Sequence, residues 1–181
     1  MHSLTREQLT ALLAAAKKHS QRDYVMVLVG FYHGMRASEV CGLTAEHIRD
    51  GYIRVERLKG SETNVQEAHP DVLAYAKGKI GLLFGIKRRQ FFNVVRKHCL
   101  TAGIPEHLAH PHTLRHTCCS LMLDGGAKIN EVQKRAGHRS LSSTGRYLIV
   151  SDAVASRAFQ AAVGSFCRSR PSTSIYDLYS A

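Results

Sequence analysis

The chain has 181 residues, enough for one substantial domain and a tight fit for two. Its ordinary shares of hydrophobic (44%) and charged (22%) residues exclude wholesale disorder. The longest apolar stretch, residues 24–32, is too short to cross a membrane, and no signal-peptide pattern opens the chain. A soluble, intracellular protein is therefore expected.

The first elements predicted along the chain are helices. Thr5 and Gln8 form a capping-box pattern, with leucines at helical spacing behind it, which predicts the first helix. An almost wholly apolar run predicts a buried second helix over residues 22–32. Gly34 ends that run, and Ser38 is placed to cap a short third helix through residue 43.

A small β-hairpin is predicted next. Residues 52–58 alternate, with Ile53, Val55 and Arg57 on one face, and a Gly-Ser turn signal precedes a second strand at residues 63–65. Lys59 then lies at or near the turn of this hairpin.

The rest of the chain is predicted to be helical. The segments expected are residues 71–79, 88–102, 113–123, 130–136, 142–149 and 152–166. The sequence therefore predicts a mainly α fold with a small antiparallel β-hairpin or sheet (α+β). Five cysteines without paired spacing are typical of reduced thiols, and Cys118 and Cys119 are expected to be buried.

Positive charge is concentrated in one part of the sequence. The formal net charge is +11, and residues 84–147 hold eleven Lys/Arg against three Asp/Glu. A concentrated basic region is expected for a protein that binds a polyanion, with nucleic acid the first candidate. A solvated basic face is equally compatible with charge alone.

Five segments together carry a recognisable pattern. They are Gly34–Glu39, Lys59, His112–His116, Gly137–Arg139 and Tyr147. In this order and spacing they resemble the active site of the tyrosine recombinase and phage integrase family. The resemblance runs from about residue 4 to residue 166, and it implies the tyrosine recombinase catalytic-domain fold.

Two sequence segments indicate a particular group within this family. Residues 31–39 (FYHGMRASE) and 110–116 (HPHTLRH) resemble the short recombinases that invert promoter segments in fimbrial phase switching. Such proteins lack a separate N-terminal DNA-clamping domain. The chain is compatible both with a complete short protein and with the catalytic part of a larger one.

The chemistry of DNA strand exchange explains the need for these residue types. Phosphodiester exchange develops negative charge on the phosphate oxygens, which preorganised donors must meet. Arginine is suited to this because its planar guanidinium binds two oxygens and stays protonated. Arg36 and Arg115 are the candidates, and Glu39, three residues after Arg36, is expected to hold that guanidinium in a salt bridge.

The family resemblance implies a role for each remaining residue. Tyr147 is the nucleophile and forms a 3′-phosphotyrosyl link, and Lys59 is the general acid for the departing 5′ oxygen. His112 assists proton transfer at the tyrosine, and His138 donates to a phosphate oxygen. No cofactor is expected, and no carboxylate cluster of the two-metal type appears in the sequence.

Expectations about DNA and partners follow from the basic region and from the family. The predicted DNA contacts are Arg88, Arg89, Arg96, Lys97 and Arg139. Residues 1–167 are expected to form the catalytic domain, and residues 168–181 a flexible tail or one that docks on a neighbouring protomer. The expected partners are double-stranded DNA at a specific site, a homo-tetramer on paired sites, and accessory DNA-bending proteins. The expected location is cytoplasmic and nucleoid-associated, in a bacterium, phage or mobile element.

Several alternatives compete with this interpretation. A catalytically silent DNA-binding regulator would not need the whole residue set, and a type IB topoisomerase is disfavoured by the small size. His112 and His116 have the spacing of zinc ligands, but Arg115 between them would repel a metal. Tyr176 and Tyr179 are alternative nucleophiles that lack a neighbouring His–Arg pair.

Overall fold

The structure is a computed structural model that describes residues 3–57 and 63–137. The predictions for Lys59, His138, Arg139, Tyr147, the helices at 142–149 and 152–166, and the tail at 168–181 lie outside the described residues. The described residues belong to one compact unit that covers residues 1–147.

Helices dominate the described part of the chain. They are α1 (Arg6–His19), α2 (Gln21–Tyr32), α3 (Ala37–Cys41), α4 (Pro70–Ala76), α5 (Arg88–Thr101), α6 (Pro111–Asp124) and α7 (Ile129–Ala136). Three strands, β1 (Ile48–Arg49), β2 (Tyr52–Val55) and β3 (Asn64–Glu67), form an antiparallel sheet in the order β1-β2-β3. The predicted fold class, mainly α with a small antiparallel sheet, is confirmed. No helix in this part of the chain is both long and apolar enough to cross a membrane.

Local sequence signals explain where several elements begin. Thr5 accepts a hydrogen bond from the Gln8 amide, and the Gln8 side chain accepts one from the Thr5 amide, so the predicted capping box starts α1. Helix α6 begins at Pro111, two residues earlier than predicted, because proline is favoured at the first helical position. Helix α4 ends at Ala76 rather than residue 79, since Lys77 leaves helical geometry and Gly78 has a φ of +74°.

The predicted cap of α3 is wrong. Ser38 lies inside the helix, which starts at Ala37 and ends at Cys41 rather than at residue 43. Arg36 occupies the cap position, and the Glu39 carboxylate accepts the Arg36 amide hydrogen bond at 2.7 Å. The Glu39 carboxylate, rather than the expected serine hydroxyl, therefore accepts a main-chain hydrogen bond at the start of the helix.

The sheet is larger and shifted relative to the predicted hairpin. Strand β1 pairs with β2 through Ile48 and Ile53 and was not predicted. The second hairpin strand runs over residues 64–67 instead of 63–65, with Tyr52 opposite Glu67. Ile53 and Val55 are fully buried, as the alternation indicates.

Helix α2 is the centre of the core and packs against α1, α4 and α6. Its valines and Met26 are buried. Gly30 permits the close approach of α6, because a Cβ there would lie 3.0 Å from Leu114 Cδ1. This packing brings the segment after α2, which contains Gly34 and Arg36, beside the start of α6, which contains His112 and Arg115.

Candidate active site

Arg36 is held at the start of α3 by Glu39. Its Nη1 lies 2.9 Å from Glu39 Oε1, and the Glu39 side chain is fully buried while that of Arg36 is 30% exposed. A buried carboxylate therefore fixes the guanidinium but leaves part of it accessible to a ligand.

Arg57 is a further buried arginine at the site, and it was not among the predicted site residues. Its Nη1 donates to Glu39 Oε2 at 2.6 Å, and both side chains of this ion pair are fully buried. Burial lowers the pKa of Arg57, and the Glu39 charge opposes that shift. One signal was present in the sequence, because Arg57 continues the inward face of β2 defined by Ile53 and Val55.

Arg115 reaches the site from the first half of α6. Its Nη1 donates to the main-chain carbonyl of Gly34 at 2.7 Å, and its buried Nη2 has no hydrogen-bond partner among the described residues. Burial, together with the charges of Arg36 and Arg57, lowers the pKa of Arg115 to about 10. The side chain is still charged at neutral pH, and one of its donors is left for a ligand.

His112 lies one helical turn before Arg115 on α6. Partial burial, followed by the positive charges of Arg115, Arg36 and Arg88, lowers its pKa. His112 and Arg115 lie on the same side of α6, because they are three residues apart. The imidazole is therefore neutral at pH 7 and able to accept a proton.

Three of the predicted DNA contacts share a cleft with His112. Arg88, Arg89 and Arg96 project from α5 into a cleft of about 720 Å³ that His112 also lines. Arg89 lies 5.7 Å from the Phe92 ring centroid, and Arg96 pairs with Glu106. Lys97 points elsewhere, with its Nζ 2.8 Å from His19 Nε2. The structure thus groups three of these cations beside the site and separates the fourth from it.

A second polar cluster lies where α1, α2 and α5 meet. Asp23 Oδ2 is 3.0 Å from His19 Nδ1 and 2.9 Å from His98 Nε2, and one nitrogen or oxygen of each residue lies within 4.8 Å of the others. Arg22 and Lys97 contact the same cluster at 3.1 and 2.8 Å. These two cations oppose a divalent ion, so the geometry favours a hydrogen-bonded cluster over a metal site.

Several known proteins are similar to this chain. Residues 2–153 match the family model described as the phage integrase family. A tyrosine recombinase of Pseudothermotoga lettingae is 31% identical over 159 residues, which cover 80% of this chain and 55% of that protein. The type 1 fimbriae regulatory protein FimB of Escherichia coli K12 is 30% identical over 162 residues, which cover 78% of this chain and 80% of FimB.

Solved structures of related proteins share the fold. XerA recombinase superposes with a TM-score of 0.72 at 22% identity, covering 96% of this chain and 65% of that chain. The catalytic domain of bacteriophage HP1 integrase superposes with a TM-score of 0.71 at 23% identity, covering 91% and 97%. The chain matches a whole catalytic domain in the second comparison and about half the length of the Pseudothermotoga recombinase in the sequence comparison.

Proposed function

Since the chain belongs to the phage integrase family, with the likeness to tyrosine recombinases just described, we propose that it is a site-specific DNA recombinase. It breaks and rejoins DNA strands through a covalent 3′-phosphotyrosyl intermediate. The link conserves the energy of the phosphodiester bond, so rejoining needs no nucleotide cofactor.

One observation carries the proposal. Arg36 and Arg115 come from elements far apart in sequence, and the fold brings them together: Glu39 holds Arg36, and Arg115 Nη1 donates to the carbonyl of Gly34, two residues before Arg36. Within the described part of the chain, the buried Nη2 of Arg115 has no partner, and an unsatisfied buried donor costs about 1–3 kcal/mol. A scissile phosphate would supply oxygens for this donor and for the accessible part of Arg36.

The remaining roles belong to residues outside the described part of the chain. In the proposal Tyr147 attacks the phosphorus, Lys59 protonates the departing 5′ oxygen, and His138 donates to a phosphate oxygen. His112 takes the phenolic proton of Tyr147, because its neutral form is favoured at pH 7.

The proposed partner is double-stranded DNA carrying a specific recombination site. Arg88, Arg89 and Arg96 in the cleft are proposed to contact phosphates beside the site, and Arg139 to add charge to the same surface. Lys97, which lies against His19 outside the cleft, is not proposed as a contact there. Recombination between two sites calls for a homo-tetramer, and accessory DNA-bending proteins would set its direction. The proposed domain boundary lies at residue 167, with the tail of residues 168–181 docking on a neighbouring protomer. We propose a cytoplasmic, nucleoid-associated location.

Suicide-substrate trapping tests the proposal. Nicked DNA that carries the recombination site is incubated with the wild-type chain and with Tyr147→Phe, and covalent adducts are separated on a denaturing gel. Wild type is expected to form an adduct, and Tyr147→Phe to bind the DNA without forming one. Tyr176→Phe is the matched control and should form the adduct at the wild-type rate.

Each other outcome has a defined meaning. An adduct that persists in Tyr147→Phe and disappears in Tyr176→Phe would move the nucleophile to the tail. DNA binding by wild type without any adduct would favour the silent regulator. Relaxation of supercoiled plasmid that lacks the site would favour a type IB topoisomerase.

A further inference from the structure

Arg57 contacts three separate parts of the candidate site at once. Its Nη1 donates to Glu39 Oε2 at 2.6 Å and, more weakly, to the Gly34 carbonyl at 3.4 Å. Its Nη2 donates to the Arg135 carbonyl at 2.7 Å, at the end of α7. One guanidinium therefore joins α3, the segment after α2, and α7.

Each contact leads to a group proposed to meet the phosphate. Glu39 holds Arg36 with its other carboxylate oxygen, and the Gly34 carbonyl is also the acceptor for Arg115 Nη1. The Arg135 carbonyl lies two residues before Gly137, after which the chain continues directly to His138. Arg57 is thus one contact away from both arginines and from the segment that precedes His138.

The packing of Gly137 on Arg57 strengthens the third connection. Gly137 has a φ of +64°, and a Cβ built on it would lie 2.8 Å from Arg57 Nε. The turn after α7 therefore lies directly against the guanidinium. A change in the position of Arg57 would therefore disturb its contact with Gly137.

We infer that Arg57 is a positioning residue that keeps Arg36, Arg115 and the segment leading to His138 in one fixed arrangement. The inference rests on the proposed recombinase function. Arg57 is not assigned a phosphate contact, because its side chain is fully buried and its two Nη atoms are engaged by protein acceptors. Its remaining donor, Nε, has no partner among the described residues and lies against Gly137.

The fold has other means of holding the end of α7. Asn64 Nδ2 donates to the Lys134 carbonyl, and Gln66 Nε2 donates to the Arg135 carbonyl at 3.2 Å. Gln66 shares its acceptor with Arg57, whereas Asn64 also reaches the neighbouring Lys134 carbonyl. A variant that lacks the guanidinium is therefore expected to keep α7 in place approximately while losing the exact alignment.

Single-turnover cleavage of nicked DNA at saturating protein tests the inference with Arg57→Met and Arg57→Lys. Misplacement of reacting groups by about 1 Å can cost about 100-fold in rate, so we expect Arg57→Met to lose about that factor. Its DNA affinity should be unchanged. Arg57→Lys keeps the charge but cannot span Glu39 and Arg135 together, so its loss of cleavage rate should be intermediate. Arg54→Met, an exposed arginine on the outer face of β2, is the matched control and should cleave at the wild-type rate.

A second substrate separates positioning from a general effect on folding. A methylphosphonate at the scissile position is neutral, so transition-state stabilisation by Arg36 and Arg115 matters less. The defect of Arg57→Met should largely disappear on this substrate. Equal defects on both substrates, or wild-type cleavage by Arg57→Met on the natural one, would overturn the inference. If Arg57→Met fails to fold, the same comparison with Arg57→Lys decides the question. Failure of wild type to form any adduct would instead contradict the proposed function.

Discussion

The main-chain carbonyl of Gly34 accepts a hydrogen bond from Arg115 Nη1 at 2.7 Å, across 81 residues of sequence. Gly34 has a φ of +58°, a conformation in which its carbonyl points toward the start of α6. The placement of Arg115 therefore depends on a backbone conformation that glycine adopts readily and other residues do not.

We predict that Gly34→Ala impairs DNA cleavage more than stability. A Cβ would meet Cys118 Sγ at an ordinary 3.5 Å, so the cost is backbone strain of about 1–2 kcal/mol. Relief of that strain moves the carbonyl that holds Arg115. Gly103→Ala, with a φ of +70° and open space around it, is the control for strain alone. Urea denaturation should show similar losses in both variants, and adduct formation should slow only in Gly34→Ala. Equal cleavage rates would contradict the link to Arg115.

We predict that Gly137→Ala is more harmful than Gly126→Ala. Both glycines have positive φ, +64° and +88°, but only Gly137 packs on Arg57. The first substitution must strain the backbone and also displace the guanidinium, whereas the second strains the backbone alone. Thermal unfolding and adduct formation should both show the difference. Equal melting temperatures and equal rates of adduct formation would mean that the contact between Gly137 and Arg57 does not affect stability or cleavage.

His112 is predicted to titrate below the ordinary histidine value of about 6.5. Partial burial and the charges of Arg115, Arg36 and Arg88 all disfavour its protonated form, so the imidazole stays neutral at a lower pH than usual. An NMR titration of the histidine ring protons, assigned with His112→Gln, measures this directly. Arg88→Gln should raise the midpoint toward 6.5. A midpoint at or above 6.5 in wild type would contradict the geometry.

Asp23→Asn is predicted to reduce the free energy of unfolding by about 2 kcal/mol, because charged hydrogen bonds from Arg22 and the two histidines are lost. Burial raises the pKa of Asp23, but hydrogen bonds from His98 and Arg22 outweigh it and leave the pKa below its ordinary value of 3.8. This carboxylate therefore stabilises the fold fully above that value and progressively less as the pH falls below it.

Denaturant unfolding at several pH values measures this effect. The difference between wild type and Asp23→Asn should shrink as the pH falls below 3.8. Asp124→Asn, at the exposed end of α6, is the control and should change stability little. A difference that grows as the pH falls below 3.8 would show that the sign of the Asp23 pKa shift is wrong.

The helices were predictable because their signals are local. The capping box at Thr5 and the position of α5 each depend on residues within a few positions of one another, and the predicted bounds of α5 were within one residue. Strand β1 was not predicted because a strand of two residues is too short to show an alternating pattern. The cap of α3 was misassigned because Glu39 competes with Ser38 for the same role.

Arg57 shows what a sequence pattern cannot supply. Its inward position was visible in the alternation of β2, but its acceptors lie 18 and 78 residues away in sequence. Only the folded chain brings Glu39 and the Arg135 carbonyl to the same guanidinium. The proposed catalytic arginines were easier to name because the family resemblance marks them, although their approach to His112 also depends on the packing of α6 against α2.

Glu39 is the one carboxylate that directly contacts this group of three arginines among the described residues. Arg36, Arg57 and Arg115 bring three positive charges against its single negative charge, so their mutual repulsion is only partly compensated without a ligand. An anion that completes the balance binds the folded chain better than the unfolded chain. The substrate phosphate is then also a stabiliser of the fold, and we expect the melting temperature to rise with occupancy of the site. Neutralising Arg115, which does not pair with Glu39, would relieve this repulsion in the unliganded protein while slowing the enzyme. Removing Arg36 or Arg57 would instead leave the buried Glu39 carboxylate with one partner fewer and destabilise the fold.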